Sequence, residues 1–158
     1  MSSTDEKTMK DYADPRMHTA EHILNQTMVR MLGCGRAFRA HIEKKKSKCD
    51  YRLDRDPGEV TLQEAERRVN EVIRRELPVL EEFLPRQEAA ARFDLGRLPE
   101  DAGERIRIVK VGDYDACPCI GSHVANTREI GTLRITSHDH ADGVLRLRFK
   151  LDATEHRP

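Results

Sequence analysis

The chain has no net charge, no long hydrophobic run, no internal repeat and only four cysteines, and each shortage narrows its possible roles. No apolar stretch approaches the roughly 18 residues that a membrane span requires, so no membrane partner is expected. The segment from Met1 to Lys10 is polar and carries acids, unlike a secretory or transit leader, and predicts a cytoplasmic protein. Without a secretion signal, Cys34, Cys49, Cys117 and Cys119 suit reduced thiols or metal ligands better than a disulfide framework. The balance of 28 basic against 28 acidic residues excludes the globally basic footprint of many nucleic-acid binders.

Hydrophobic residues make up 37% of the 158 positions and charged residues 35%, which is polar but sufficient for a packed core. No linker divides the chain, so residues 14–158 are expected to form one domain behind a flexible N-terminus of residues 1–13. The charge is unevenly distributed. Residues 36–52 carry seven Lys or Arg against Glu43 and Asp50, whereas residues 53–104 carry fourteen acids against eight Arg. The basic segment, with Lys44, Lys45, Lys46 and Lys48 at its centre, is the part suited to a phosphate backbone, although a solvated hairpin has the same composition.

Asp14-Pro15 supplies an N-cap and a first-turn proline, and the spacing of Met17, Ala20, Leu24, Thr27, Met28 and Met31 predicts a helix to about Leu32, stopped by Gly33. Strands are expected over 36–43 and 48–53, joined by a lysine turn. Thr61 and Glu64 suggest a capping box for a second helix with Leu62, Ala65, Val69, Val72 and Ile73 as its stripe, ending before Pro78. A short strand over 79–84 and a brief helix over 87–93 follow. Strands are then expected over 106–111, 130–136 and 144–151, the last two joined at Asp142-Gly143. Runs of strands interrupted by two long helices indicate an α+β fold with a mostly antiparallel sheet.

His18 and His22 stand one helical turn apart, roughly 130° and 170° from the centre of the apolar stripe, so they do not fill that core face. Cys119 and His123 repeat the spacing about a hundred residues later. Together the four are a plausible nitrogen and sulfur shell for Zn²⁺. His138 and His140, beside the Asp-Gly turn, are expected to be exposed, and Cys117 to be a loop cysteine.

The runs His18-Thr19-Ala20-Glu21-His22-Ile23-Leu24 and Cys119-Ile120-Gly121-Ser122-His123, followed by Val124-Ala125-Asn126-Thr127-Arg128-Glu129-Ile130-Gly131, resemble the editing domain of alanyl-tRNA synthetase, as it also occurs in short free-standing alanyl-tRNA editing proteins. A related domain occurs in threonyl-tRNA synthetase. The resemblance implies an editing-domain fold and zinc-dependent hydrolysis of serine or glycine from the tRNA meant for alanine. His18, His22, Cys119 and His123 match the family's metal positions. Zn²⁺ in such a site can acidify water, polarise the ester or hold the substrate amine. Glu21 is the candidate general base, with a salt bridge as the alternative. Gly121, Ser122, Thr127 and His41 are candidate substrate contacts, the first three with turn-forming as the alternative.

The family's second motif is usually Cys-Gly-Gly-Thr-His, so Ile120 and Ser122 are departures, and Ile120 is expected to narrow the pocket. Two other readings stand beside editing. The run from His18 to His22 also spells H-x-x-E-H, a zinc-protease helix, which leaves Cys119 and His123 unexplained. A zinc-stabilised tRNA-binding or regulatory module without hydrolysis is the other.

Overall fold

The computed structural model describes residues 14–96, 98 and 103–152. The expected flexible segment 1–13 lies outside them. Helix α1 (Pro15–Leu32) begins where the sequence places it: the Asp14 carboxylate accepts from the backbone N–H groups of Arg16 and Met17 at 3.0 and 3.2 Å. It stops at Gly33, whose φ of 68° is the left-handed conformation that glycine adopts without a Cβ penalty. Burial is not confined to one stripe. His18, Thr19, Glu21, His22, Asn25 and Thr27 are buried along with Met17, Ala20, Ile23, Leu24 and Met28.

A hairpin follows, β1 (Arg39–Ile42) and β2 (Ser47–Arg52), and then helix α2 (Glu59–Arg74). β1 is shorter than the expected 36–43, and at its start the Ala37 N–H is taken by Asn25 Oδ1 rather than by a neighbouring strand. The expected capping box of Thr61 with Glu64 does not form. Asp56 bonds the Gly58 N–H at 2.9 Å and α2 starts at Glu59, so Thr61 lies inside the first turn while Glu64 pairs with Arg67 and Arg68. The predicted stripe of α2 is buried throughout.

Next come β3 (Val79–Pro85), α3 (Arg86–Arg92), β4 (Arg105–Val111) and β5 (Asp115–Pro118), then a 3₁₀ turn (Thr127–Glu129) and the hairpin β6 (Thr132–Ala141) and β7 (Val144–Asp152). Two antiparallel sheets result, ordered β1-β2-β7-β6 and β3-β4-β5. The fold is α+β, and among the described residues no helix is long and apolar enough to cross a membrane. Asp142 and Gly143, at φ 52° and 74°, make the hairpin turn that Asp-Gly favours. β6 runs farther than expected and takes in His138 and His140, which are half-buried, the first 3.2 Å from Asp56 Oδ1 and the second 2.7 Å from the Leu53 carbonyl.

The inner face of the four-stranded sheet packs Cys49, Tyr51, Leu145, Leu147 and Phe149 with residues of α1 and α2. β6 is an edge strand, and α2 satisfies that edge with side chains. Asn70 gives its amide N–H to the Leu133 carbonyl at 2.9 Å and accepts the Leu133 N–H at 2.8 Å, while Glu66 accepts the Ile135 N–H at 2.7 Å. Asn70→Leu keeps bulk but strips both Leu133 groups of partners, so a loss of about 2–4 kcal/mol is expected in urea unfolding. A loss under about 0.5 kcal/mol would show that water replaces the amide at this edge.

Candidate metal centre

α1 carries His18 and His22 one turn apart, and the loop after β5 carries Cys119 and His123. Hydrogen bonds hold this loop against the helix and β4. The Cys119 N–H donates to the Arg107 carbonyl at 3.2 Å, Arg107 Nη1 donates to the Gly121 carbonyl at 2.6 Å, and the Val124 N–H donates to Thr19 Oγ1 at 3.2 Å. One ligating atom from each of His18, His22, Cys119 and His123 lies within 4.8 Å of the others. His18 Nε2 is 3.3 Å and His123 Nε2 3.5 Å from Cys119 Sγ. Zinc-to-nitrogen and zinc-to-sulfur bonds at tetrahedral angles place N and S about 3.5 Å apart, so these two spacings match a tetrahedral Zn²⁺ shell.

The other side of each imidazole fixes which nitrogen faces the centre. His18 Nδ1 sits 3.2 Å from the Ser122 carbonyl and must carry the proton there. Thr19 gives its hydroxyl proton to the Pro15 carbonyl at 2.7 Å, so at the 2.9 Å contact with His123 Nδ1 it accepts. His22 Nδ1 faces Asp115 Oδ2 at 3.5 Å, an ionic contact longer than a good hydrogen bond. The Nε2 atoms of His18 and His123 face Cys119, as donors to the sulfur when protonated and as ligand lone pairs when a cation occupies the centre. Such outer partners orient metal-binding histidines and raise their basicity.

The charges agree with a cation site. Burial alone would raise the Cys119 thiol, but His123, His18 and His22 outweigh it and bring the group down to about 3, a thiolate at neutral pH. Burial and then repulsion from His22 and His18 lower His123 to about 4, offset in part by Cys119. Burial works against charge on His22 as well, yet Asp115 and Cys119 raise it to about 9. Asp115 is held down at about 2, against its burial, by His22 and Arg36.

Behind the ligands lies a second layer that the sequence does not announce. Asp115 accepts from Arg36 at 2.6 and 3.3 Å and from Gln26 Nε2 at 2.9 Å, with its own side chain wholly buried. Arg36 therefore belongs to the centre rather than to the basic hairpin. Asn25 is fixed in orientation because its Oδ1 accepts from the Ala37 N–H and the Tyr51 hydroxyl, leaving its amide to donate to Glu21 Oε2 at 2.6 Å.

A cavity of about 590 Å³ opens on the cluster, lined by His18, Glu21, His22 and Cys119 together with Arg36, Phe38, Asp94 and Ile120. Glu21 lies at its wall, and its Oε1 is 3.9 Å from His18 Nε2. Ile120 is 55% exposed at the cavity wall, so its bulk projects largely outward. The other candidate substrate contacts lie elsewhere. Thr127 is fully buried, its hydroxyl donating to the Ile73 carbonyl and accepting the Leu77 N–H, both at 2.9 Å, so it pins α2 to the loop. Gly121 turns its N–H to Cys119 Sγ at 3.4 Å, and Ser122 offers its carbonyl to His18; neither lines the cavity. His41 is half exposed, 3.3 Å from Glu43, while Phe38 takes the place at the wall. Cys117 lies on β5, lines the cavity and is pushed up to about 12, chiefly by burial. Lys44, Lys45, Lys46 and Lys48 are exposed on the β1–β2 hairpin.

Residues 106–148 match the family described as the threonyl and alanyl tRNA synthetase second additional domain. The chain belongs to the alanyl-tRNA editing domain family. It is 33% identical over 139 residues to the alanine–tRNA ligase of Methanopyrus kandleri, covering 85% of this chain and 15% of the ligase. Against the alanine–tRNA ligase of Methanothrix thermoacetophila the identity is 37% over 148 residues, 87% of this chain and 15% of the ligase. The alanyl-tRNA editing protein AlaX-L of Pyrococcus horikoshii is 32% identical over 131 residues, 78% of this chain and 30% of that protein. The chain thus spans less than a third of the length of each of these relatives.

The purified protein is expected to bind about one zinc per chain, measured by metal analysis after dialysis, and Cys119→Ala to lose it. Asp115→Asn preserves shape but withdraws the charge facing His22, and a 10–100-fold weaker zinc affinity is expected in competition with a chromophoric chelator. Unchanged affinity would remove Asp115 from the metal's support.

Proposed function

We propose that this chain is a zinc-dependent deacylase that removes serine or glycine wrongly esterified to the tRNA for alanine. The observation that carries the reading is the four-donor cluster at the wall of a cavity, on a chain related to a protein named for alanyl-tRNA editing. Zn²⁺ bound by His18, His22, Cys119 and His123 would supply a positive charge beside the ester, where it favours charge development on the carbonyl oxygen.

The chain's own groups account for the rest. An aminoacyl ester is already activated, so the demands are to hold the acceptor end, admit a small side chain and manage one proton. Glu21 is the proton carrier. Its carboxylate takes a proton from the attacking water as the water oxygen bonds to the ester carbon. It returns that proton to the ribose oxygen as the carbon–oxygen bond breaks, releasing amino acid and tRNA. Asn25 keeps the carboxylate aimed by its 2.6 Å bond to Oε2. Lys44, Lys45, Lys46 and Lys48, exposed on the hairpin, serve in this reading as contacts to RNA phosphates.

A second reading rests on the ligand count. Four protein donors make a closed shell, the usual form of structural zinc, which favours a tRNA-binding module without hydrolysis. The zinc-protease reading has no such support, since a thiol and an imidazole stand where those enzymes place a carboxylate.

The deciding assay is release of serine, glycine and alanine from the charged tRNA for alanine. The first two should be released and the third spared. Glu21→Gln is expected to lower kcat about 10²–10⁴-fold with zinc content unchanged. Zinc-replete protein that releases nothing from any mischarged tRNA would establish the closed-shell reading instead.

A further inference from the structure

The outer face of the four-stranded sheet carries an unusual density of cations. In register across the strands, Arg39, Asp50, Arg146 and Asp139 form one row, and His41, Lys48, Arg148 and Ser137 the next. Lys150 pairs with Arg134, and Arg52 stands opposite Val144. The face therefore presents seven Lys or Arg (Arg39, Lys48, Arg52, Arg134, Arg146, Arg148, Lys150) against three acids, Asp50, Asp139 and Asp152. The helices that build the core lie against the opposite face, and these seven side chains are half-buried to exposed.

Neighbours in such rows stand about 5 Å apart across strands and about 7 Å along them. Like charges at that spacing repel, and the three acids relieve only part of it. Asp50 holds Arg39 at 2.7 Å and Arg146 at 2.8 Å, and Asp139 holds Arg148 at 2.6 Å. Among the described residues, no ion pair compensates Lys48 or Lys150. The compensated arginines keep fixed positions, and the face as a whole retains an excess of positive charge. That combination suits a polyanion of regular charge spacing.

The face also leads to the cavity. Arg52 lies 4.1 Å and Arg39 5.2 Å from the centroid of the Phe38 ring, and Phe38 lines the cavity beside the metal cluster. The lysine turn, residues 44–46, stands at the other end of the same hairpin. Positive charge is thus continuous from the cavity wall across β1, β2 and β7.

We infer that the outer face of β1-β2-β7-β6 is the track for an RNA phosphate backbone, and that Lys48, Arg148 and Lys150 anchor RNA whose 3′ end reaches the cavity past Phe38. This rests on the deacylase reading for the identity of that end, but not for the binding itself. The footprint extends well beyond the hairpin lysines, and predicts that much of the affinity for tRNA comes from the sheet.

The test is the triple change Lys48→Gln, Arg148→Gln and Lys150→Gln, compared with an equal change at Arg68 and Arg74 on α2 and at Arg75, its C-cap. Binding of uncharged tRNA for alanine is followed by fluorescence anisotropy over a salt series. The sheet variant should bind at least tenfold more weakly at 0.1 M salt, with the slope of log K against log salt flattened by about 2–3. The α2 variant should match the parent. On mischarged tRNA the sheet variant should raise KM with kcat kept, and its hydrolysis of a small aminoacyl ester of adenosine should be unchanged. Equal slopes for all three proteins overturn the proposal. So does an equal loss on the small ester, which would mean damage to the cavity, and so does binding of polyglutamate as tight as that of tRNA, which would give the face to an acidic protein partner. If the parent hydrolyses neither substrate, the deacylase reading fails while the binding arm still decides the surface.

Discussion

The buried polar groups of α1 impose the constraint on which the surrounding structure depends. A helix enclosed on nearly all sides while carrying His18, Thr19, Glu21, His22, Asn25 and Thr27 is tolerable only if each polar atom finds a partner. The partners come from everywhere else in the fold. Ser122 and Val124 bring in the loop after β5, Asp115 brings in β5 itself, Ala37 and Tyr51 bring in the first hairpin, and Tyr114 meets the Thr27 hydroxyl at 2.7 Å. Several of the contacts that partner the helix therefore also shape the candidate metal centre, with His22 Nδ1 held by an ionic contact to Asp115 rather than by a hydrogen bond. Stability and site geometry share one network.

That sharing explains which parts of the site are legible in the sequence. His18 with His22, and Cys119 with His123, are each local spacings, and the run after Cys119 ties them to a family. The α1 cap, stripe and stop are equally local, as are the Asp142-Gly143 turn and the stripe of α2. Asp115, Arg36, Thr19 and Asn25 carry no such mark. Each is an ordinary polar residue until the chain folds, and Arg36 looks like one more cation of a basic segment until Asp115 claims it. β5 escapes notice for a related reason. It has four residues, starts on Asp, ends on Pro and earns its strand geometry only from pairing with β4. Thr127 shows the reverse error: a hydroxyl beside a motif suggests substrate, but burial assigns it to the backbone of α2 and the following segment.

The cavity wall is chemically divided. One side is ionic and fixed, with Glu21, Arg36 and the four donors each held by a partner on the protein. The other is formed by Phe38, Pro118 and Ile120, which offer area without directional bonds. Such a division suits a ligand whose reacting end must be placed to within tenths of an ångström while its remainder is gripped by stacking and contact.

The two ligand pairs lie about a hundred residues apart, on the first helix and on a loop late in the chain. An ion shared between them acts as a reversible cross-link. Closing a loop of that size by a covalent bridge removes enough chain entropy to stabilise a fold by about 4–5 kcal/mol, and a metal clip draws on the same source. Almost everything between, including α2, both hairpin strands β1 and β2, and the β3-β4 pair, lies inside that loop. If zinc binds there, the folded fraction of this chain would follow the free zinc of its surroundings by mass action, and metal supply would set how much of the protein exists in folded form.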